Sequence, residues 1–387
     1  MRIITTTGDL DTFIAELEQG PYAAIDTEFM RDQTYWPKLC LVQAAGPETQ
    51  GIIDPLTPGI ELDPIYRLMA NPAVVKVFHA ARQDIEIFHH QGGVIPEPFF
   101  DTQIAAMVCG FGEAASYETL VRKLAKADID KSARFTDWSR RPLSKRQLEY
   151  AMSDVTHLRQ LYEILSGELS KTGRTTWVEE EEATLMSPAT YRLDPADAWR
   201  RLKPRSGNKR FLAVLAGVAA WREREAQSRD VPRNRVLRDE TLLEIAAHPP
   251  LDAEHLEHIR GLPNGYAQSR AGKALLAAIN ESLTAPPPEL APAGPRLRRE
   301  PSPAALDLLK TLLRLRATEF RVAPRLVADI ADLERLASGE TEGIAALHGW
   351  RGNVFGHDAL ALCAGRLAIS LDNGEAVILE TPKRLAS

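Results

Sequence analysis

Four carboxylates and one phenol have types and spacings that could do chemistry together. Asp26 and Glu28 stand two apart in the apolar run AIDTEF. On a strand that spacing points both side chains to one face of a sheet. Burying ionised carboxylates without a partner costs far more than apolar neighbours return, so something cationic belongs beside them. Asp84, in FHAARQDIEIF, follows the apolar run VVKVF and falls early in a helix. Tyr150 and Asp154, in LEYAMSDV, are four apart, so a phenol and a carboxylate project from one helical face. Hard oxygen ligands of this kind suit Mg2+ or Mn2+. Two such ions about 3.5–4 Å apart can polarise an attacking water and stabilise the leaving oxygen of a phosphodiester. Singly, each feature also has an ordinary reading: a solvated strand pair, a carboxylate favoured at a helix N-terminus, a surface helix pair. Their joint order along the chain is what points to a site.

The elements that must position these groups read as mixed α/β over the first 165 or so residues. Short β-rich runs (YAAIDTEF, LCLVQAA, GIIDP, VVKVFHA) are followed by helical stretches. The first three strands are joined by connections too short for crossover helices, so the sheet is expected to be partly antiparallel. No GxGxxG is present to suggest a dinucleotide fold. After Pro142 a long helix is expected, with Ser144 as its cap. The acidic run WVEEEEATL reads as a solvated connecting helix. The divisions expected are 1–170, a connecting helical segment 171–207, a helical module 208–285, a proline-rich linker 286–303, and a second helical module 304–387 closed by a hairpin at Asn373-Gly374. REAQSRDVPRNRVLRDETLLEIA and RATEFRVAPRLVADIADLERLA share a Pro-Arg step, Pro232-Arg233 and Pro324-Arg325, ahead of Ala246 and Ala337. Two copies of one small helical unit are expected.

A chain of 387 residues exceeds what one core usually organises. Its net charge of -6 argues against a protein that coats nucleic acid. Yet from Arg200 to Arg238, Lys203 and Arg205 included, basic residues greatly outnumber acidic ones, a local footprint of phosphate binding. Arg233, Arg235 and Arg238 cluster in a proline-started segment where guanidinium groups can grip phosphates. Cys40, Cys109 and Cys363 are scattered, with no CxxC, which fits reduced thiols and gives no sign of a zinc site. His79, His89 and His90 lack zinc-like spacing and read as structural or solvated. With no apolar signal core and no stretch long enough to span a bilayer, a cytoplasmic enzyme without membrane contact is expected.

DTEF, the QD of FHAARQDIEIF and the YxxxD of Tyr150 to Asp154 resemble the three motifs of the DEDD superfamily of 3′–5′ exonucleases, in its tyrosine-bearing subgroup. DTEFMRDQTYWPKLCLVQ, FFDTQIAAM and WREREAQSRDVPRNRVLRDETLLEIA resemble the bacterial ribonuclease D family in particular, and the helical modules are similar to HRDC domains. The likeness runs over almost the whole chain. It implies a ribonuclease H-like mixed-sheet exonuclease domain followed by two HRDC-type domains, a multidomain α/β plus all-α architecture. It implies further that Asp26, Glu28, Asp84 and Asp154 hold two divalent ions, with Asp26 bridging and Asp84 working through an intervening water. Tyr150 is expected to orient the attacking water rather than act as a base, since a free phenol titrates near pH 10. Glu28 is placed at the terminal 3′-hydroxyl, and Phe29, with Met30, Tyr35 and Trp36 nearby, offers a stacking surface for the last bases. The activity implied is 3′–5′ exoribonuclease trimming of tRNA precursors and other structured RNAs by a monomer, releasing nucleoside 5′-monophosphates. The rivals weighed are a DNA exonuclease and a catalytically silent scaffold, which would require a lost metal-binding acid; all four are present. A helicase accessory has no phosphate-binding loop to support it.

Overall fold

The computed structural model describes residues 1–202, 204, 208–288 and 300–381. Lys203 and Arg205 of the basic segment and residues 289–299 of the proline-rich linker lie outside the described residues.

The sheet that carries AIDTEF has the strand order β1-β4-β3-β2-β5-β6. Its strands are β1 (Ile3–Ile4), β2 (Tyr22–Met30), β3 (Lys38–Ala45), β4 (Gln50–Ile53), β5 (Val75–Phe78) and β6 (Phe99–Asp101). The short connections expected between the early strands give antiparallel β2–β3 and β3–β4 pairs, while β2–β5, β5–β6 and β1–β4 are parallel. Helices α1 (Thr7–Leu17), α2 (Asp63–Ala70) and α3 (Arg82–Gly92) cover one face. The helices α4 (Thr102–Val108), α5 (Tyr117–Leu120) and α6 (Lys145–Thr172) cover the other. Both faces are therefore dry, which explains why β2 and β3 read as near-continuous apolar runs. Ser144 caps α6 through a capping box with Gln147, as the sequence suggests.

Alternation along β2 settles where the carboxylates go. Ala23 and Ile25 join the core under α1–α3, and Tyr22 and Ala24 join the core under α6. Asp26 and Glu28 continue the series facing α6, and Thr27 continues the series facing α3. The register shifts between Glu28 and Phe29, where Cys40 is the extra residue on β3. A bulge of this kind re-aims side chains beside a site.

The acidic run forms α7 (Thr175–Met186), but it is not solvated as expected. Glu182 is buried and accepts the backbone N–H of Asp101 at 2.6 Å, while Glu180 and Glu181 both meet Arg351. The connecting segment is packed against both of its neighbours, and Glu180, Glu181 and Glu182 are taken up by those contacts while Glu179 is exposed.

The first helical module comprises α8 (Lys209–Arg229), α9 (Arg233–Val236), α10 (Asp239–Ala247), α11 (Ala253–Glu257) and α12 (Arg270–Thr284) around a core of its own. A second core is built by α13 (Pro303–Glu319), α14 (Pro324–Val327), α15 (Ile330–Ala337), α16 (Gly349–Arg351) and α17 (His357–Cys363). Its closing hairpin, β7 (Leu367–Asp372) and β8 (Glu375–Glu380), turns at Asn373-Gly374, both with positive φ. The starts of α9 and α14, the starts of α10 and α15, and the left-handed residues Asp230 and Arg321 are all offset by the same number of residues. On that offset Pro232 corresponds to Ala323, and Arg233 to Pro324. The Pro-Arg steps that suggest a repeat are out of step by one residue, although the helices around them correspond.

Candidate active site

Strand β2 and helix α6 bring Asp26, Glu28 and Asp154 together, each offering a carboxylate oxygen, all within 4.8 Å of one another. Asp84, in the first turn of α3, is buried at 7% exposure and accepts the Thr27 hydroxyl. All four acids and Tyr150 line one cleft of about 510 Å³. The groups singled out in sequence are thus neighbours in space.

Their electrostatics are those of negative charges crowded away from water. Burial, and then the charge of Asp154, push Asp26 well above the usual carboxylate range. Glu28 is pushed up to about 10 by burial, followed by Asp26, Asp154 and Asp84. Burial and then Asp26 likewise raise Asp84 well above that range, with the Thr27 hydroxyl working the other way. Asp154 is pushed up to about 7 by burial, held down partly by the Tyr150 phenol, Arg134 and Lys131. The Tyr150 phenol is itself raised by burial and by Asp154. A divalent cation among these oxygens would remove the mutual repulsion and return them to carboxylates. The donor set, all hard oxygen, fits Mg2+ or Mn2+.

A layer of contacts behind the acids fixes their places. Tyr117 donates its hydroxyl to the carbonyls of Ser153 and Asp154, tying α5 to the turn of α6 that carries the acid. Asp101 accepts the N–H groups of Ala80 and Ala81 at 3.0 and 2.9 Å, which anchors the start of α3 and holds Ala80 at φ 58. Across the cleft, Lys131, Arg134 and the exposed Phe135 sit on a loop before α6. That loop is pinned by buried Trp138 and by a bidentate pair of Arg141 with Asp54, at 2.6 and 2.7 Å. Sequence reading passes over Thr27, Tyr117, Lys131 and Arg134. The basic run KSARFTDWSRR just ahead of the YxxxD helix is a signal that could find the last two.

The residues expected to bind RNA divide three ways. Phe29 is half-buried and lines the cleft beside Glu28. Arg233 is turned inward: its guanidinium pairs with Glu223 through two contacts of 2.6 Å and lies over the Tyr35 ring. Arg235 is exposed and bonded to Gln33, and Arg238 is exposed with no side-chain partner among the described residues. Tyr35 and Trp36 do not face the cleft as a stacking surface. Tyr35 is buried and donates to Glu223, Trp36 stacks on His90 with ring centroids 3.8 Å apart, and Asp230 accepts the backbone N–H of both, at 3.0 and 2.9 Å. The loop leaving the β2 strand is a docking point for the first helical module.

Residues 1–170 match the 3′–5′ exonuclease family model, and residues 211–279 match the HRDC domain model. The chain is 51% identical over 382 residues to ribonuclease D of Granulibacter bethesdensis, covering 98% of this chain and 96% of that one. It is 47% identical over 380 residues to ribonuclease D of Nitrobacter hamburgensis, covering 98% and 100%. The crystal structure of Escherichia coli RNase D, an exoribonuclease involved in structured RNA processing, superposes with a TM-score of 0.77 at 29% identity, covering 94% of this chain and 98% of that one.

Proposed function

Since this chain belongs to the ribonuclease D family and is a divalent-metal-dependent 3′–5′ exoribonuclease, we propose that Asp26, Glu28, Asp84 and Asp154 hold two ions and that Tyr150 positions the attacking water. The observation that carries this reading is the triangle of oxygens from Asp26, Glu28 and Asp154 within 4.8 Å, with Asp84 in the same cleft. When bound, two divalent ions supply the charge that activates water and stabilises the oxygen leaving the phosphodiester. The chain's own groups do the rest. Asp26 lies between Asp154 and Asp84, being the first charge that raises Asp84 and one that Asp154 raises in turn, which suits a bridging position. Thr27 fixes Asp84 in one rotamer from behind. Tyr150, raised by its surroundings, stays a phenol at neutral pH, so it donates and orients rather than removing a proton. Glu28 and Phe29 lie together on the wall where a terminal ribose and base would end, Glu28 taking the 3′-hydroxyl.

The substrates in this reading are 3′ ends of tRNA precursors and other structured small RNAs, trimmed by a cytoplasmic monomer to nucleoside 5′-monophosphates. No helix among the described residues is long and apolar enough to cross a membrane. The domains in this reading are 1–170, 208–285 and 304–387, the last a second HRDC-type domain; the common offset of its helices with those of the first supports it. The test is a 3′-extended tRNA precursor labelled at its 5′ end, incubated with Mg2+ or Mn2+, for wild type and Asp26→Asn. Metal-dependent stepwise shortening that vanishes in the variant is expected. Intact RNA in every lane, with binding preserved, would replace the enzyme by a scaffold.

A further inference from the structure

A second cavity, of about 730 Å³, lies between the nuclease domain and the first helical module. That volume is in the range of small-ligand pockets, about 300–1,000 Å³. Its walls carry five guanidinium groups, from Arg31, Arg82, Arg201, Arg222 and Arg233, against the carboxylates of Glu86 and Asp239. Three of the five have an acid: Arg31 meets Glu86, Arg222 meets Asp239, and Arg233 meets Glu223. The other two are held loosely or not at all. Arg82 is exposed and has no side-chain partner among the described residues. Arg201 reaches Glu223 only at 4.0 Å, where both carboxylate oxygens are already taken by Arg233.

A further feature of the wall is independent of charge counting. Arg222 is 3% exposed, yet its Nε–H has no acceptor. A buried donor left unpaired is destabilising, and here it belongs to a group that lines the cavity. The cavity also adjoins the active site. Arg82 is on its wall while the next residue, Gln83, lines the catalytic cleft; Arg31 is on its wall, two residues beyond Phe29 in that cleft. One wall is acidic and the other basic, with the end of β2 and the first turn of α3 between them.

We propose that this cavity is a nucleotide-phosphate site, in which Arg82 and Arg201 take a phosphate of the RNA strand upstream of its 3′ end. The inference goes beyond the metal arrangement proposed above and depends only on the exoribonuclease activity of the family. It places the phosphate at the seam of the nuclease domain with the first helical module, on Arg82 of the former and Arg201 of the connecting segment, rather than on the module's outer basic surface. Guanidinium groups closely paired with acids hold the seam, while Arg82 and the loosely held Arg201 meet the ligand.

The test uses the full-length double variant R82Q/R201Q, both positions being exposed. Binding of a twelve-nucleotide single-stranded RNA is measured in metal-free buffer across a salt series. The expected result is affinity weakened on the order of tenfold at about 0.1 M salt and a slope of log K against log salt smaller by about 0.7, the value for one phosphate of a single strand. R82K/R201K, which keeps the charge, is expected to restore most of the slope. Turnover of a dinucleotide, too short to reach the cavity, is expected to stay within about twofold of wild type. Adenosine 5′-monophosphate titrated into both proteins separates the two sources of phosphate. Loss of long-RNA affinity alone assigns the site to the strand, and parallel loss of monophosphate binding assigns it to free nucleotide. Unchanged affinity and slope with the RNA, whether or not the dinucleotide is cleaved, would overturn the proposal. Failure of the wild type to cleave the dinucleotide would instead count against the metal reading and leave the binding result intact.

Discussion

Removing metal should make this protein less stable as the pH rises from 5 to 7, the reverse of the usual carboxylate behaviour. The reasoning begins with Asp154, which stands at about 7 in the folded chain against an ordinary 3.8. Below pH 4 both folded and unfolded forms hold the proton and nothing is lost. Between 4 and 7 the unfolded chain ionises while the folded one does not, so stability falls by up to about 1.4 kcal/mol per pH unit, and above 7 the loss levels off. From pH 5 to 7 this amounts to about 2 kcal/mol for Asp154 alone. Glu28, Asp26 and Asp84 are raised in the same direction and add to the loss. For a domain of 150–250 residues about 2 kcal/mol corresponds to roughly 4–8 °C in Tm. The assay is thermal unfolding of metal-stripped protein at pH 5, 6 and 7, comparing wild type with Asp154→Asn. The variant removes one titration and also relieves Asp26 and Glu28, both of which Asp154 raises. Wild type should therefore lose roughly 4–8 °C more than the variant over this interval. Saturating Mn2+ should cancel the difference in slope, because cations compete with protons for the same oxygens. Parallel profiles for the two metal-stripped proteins would refute the electrostatic account of the cleft.

Three further outcomes follow from the geometry. Tyr150→Phe should lower kcat by about 10²–10⁴-fold at nearly constant KM while leaving Mn2+ affinity unchanged, because the phenol touches Asp154 without completing the oxygen triangle; steady-state kinetics beside calorimetric metal titration checks both halves. Thr27→Val removes the hydroxyl donated to buried Asp84 and should cost about 1–3 kcal/mol, read by denaturant unfolding, together with weaker metal binding. Tyr35→Phe removes the phenol that donates to Glu223 and accepts from Arg233 at 2.9 Å; the seam should loosen by about 1–2 kcal/mol, seen as earlier proteolytic release of the first helical module with dinucleotide turnover unchanged.

The meeting of Asp26, Glu28 and Asp154 was legible because local periodicity fixes which face each of them takes. Two residues apart on a strand and four apart on a helix are statements about one element each, and the packing of β2 beneath α6 follows from apolar alternation that is equally visible in sequence. The groups that hold the acids in place were not legible for the opposite reason. Tyr117 acts on carbonyls of Ser153 and Asp154, Asp101 on the N–H groups of Ala80 and Ala81, and Arg141 on Asp54. Each is an ordinary residue in an ordinary run until the chain returns to it. The acidic helix α7 misled in the same way: a run of glutamates carries no mark of the Asp101 amide or the Arg351 guanidinium that takes it up.

The arginines show how far composition reaches and where it stops. A basic run on an acidic chain points to one segment of it, but the work of each guanidinium depends on partners that the run does not show. Arg233, one of three arginines the sequence singles out, meets Tyr35, separated from it by 198 positions, and a glutamate buried one helix away. Its place in the second module is occupied by Pro324, and there the corresponding turn meets the nuclease domain by its backbone: the N–H of Ala323 donates to the Met107 carbonyl at 2.9 Å. Both modules thus present the turn after their first helix to the nuclease domain, and only the first does so with a charged side chain. At the second seam Gly110 packs so near Arg321 that a Cβ there would lie 2.6 Å from its carbonyl oxygen, while a cavity of about 550 Å³ is lined by Pro324 and Arg325 together with Glu113 of the nuclease domain. The same fold of helices is thus docked twice, with five guanidinium groups lining the cavity at the first seam and Lys310, Arg314 and Arg325 lining the one at the second. Only the first of these two cavities shares a wall with the cleft that holds the acids of AIDTEF, through the neighbours Arg82 and Gln83.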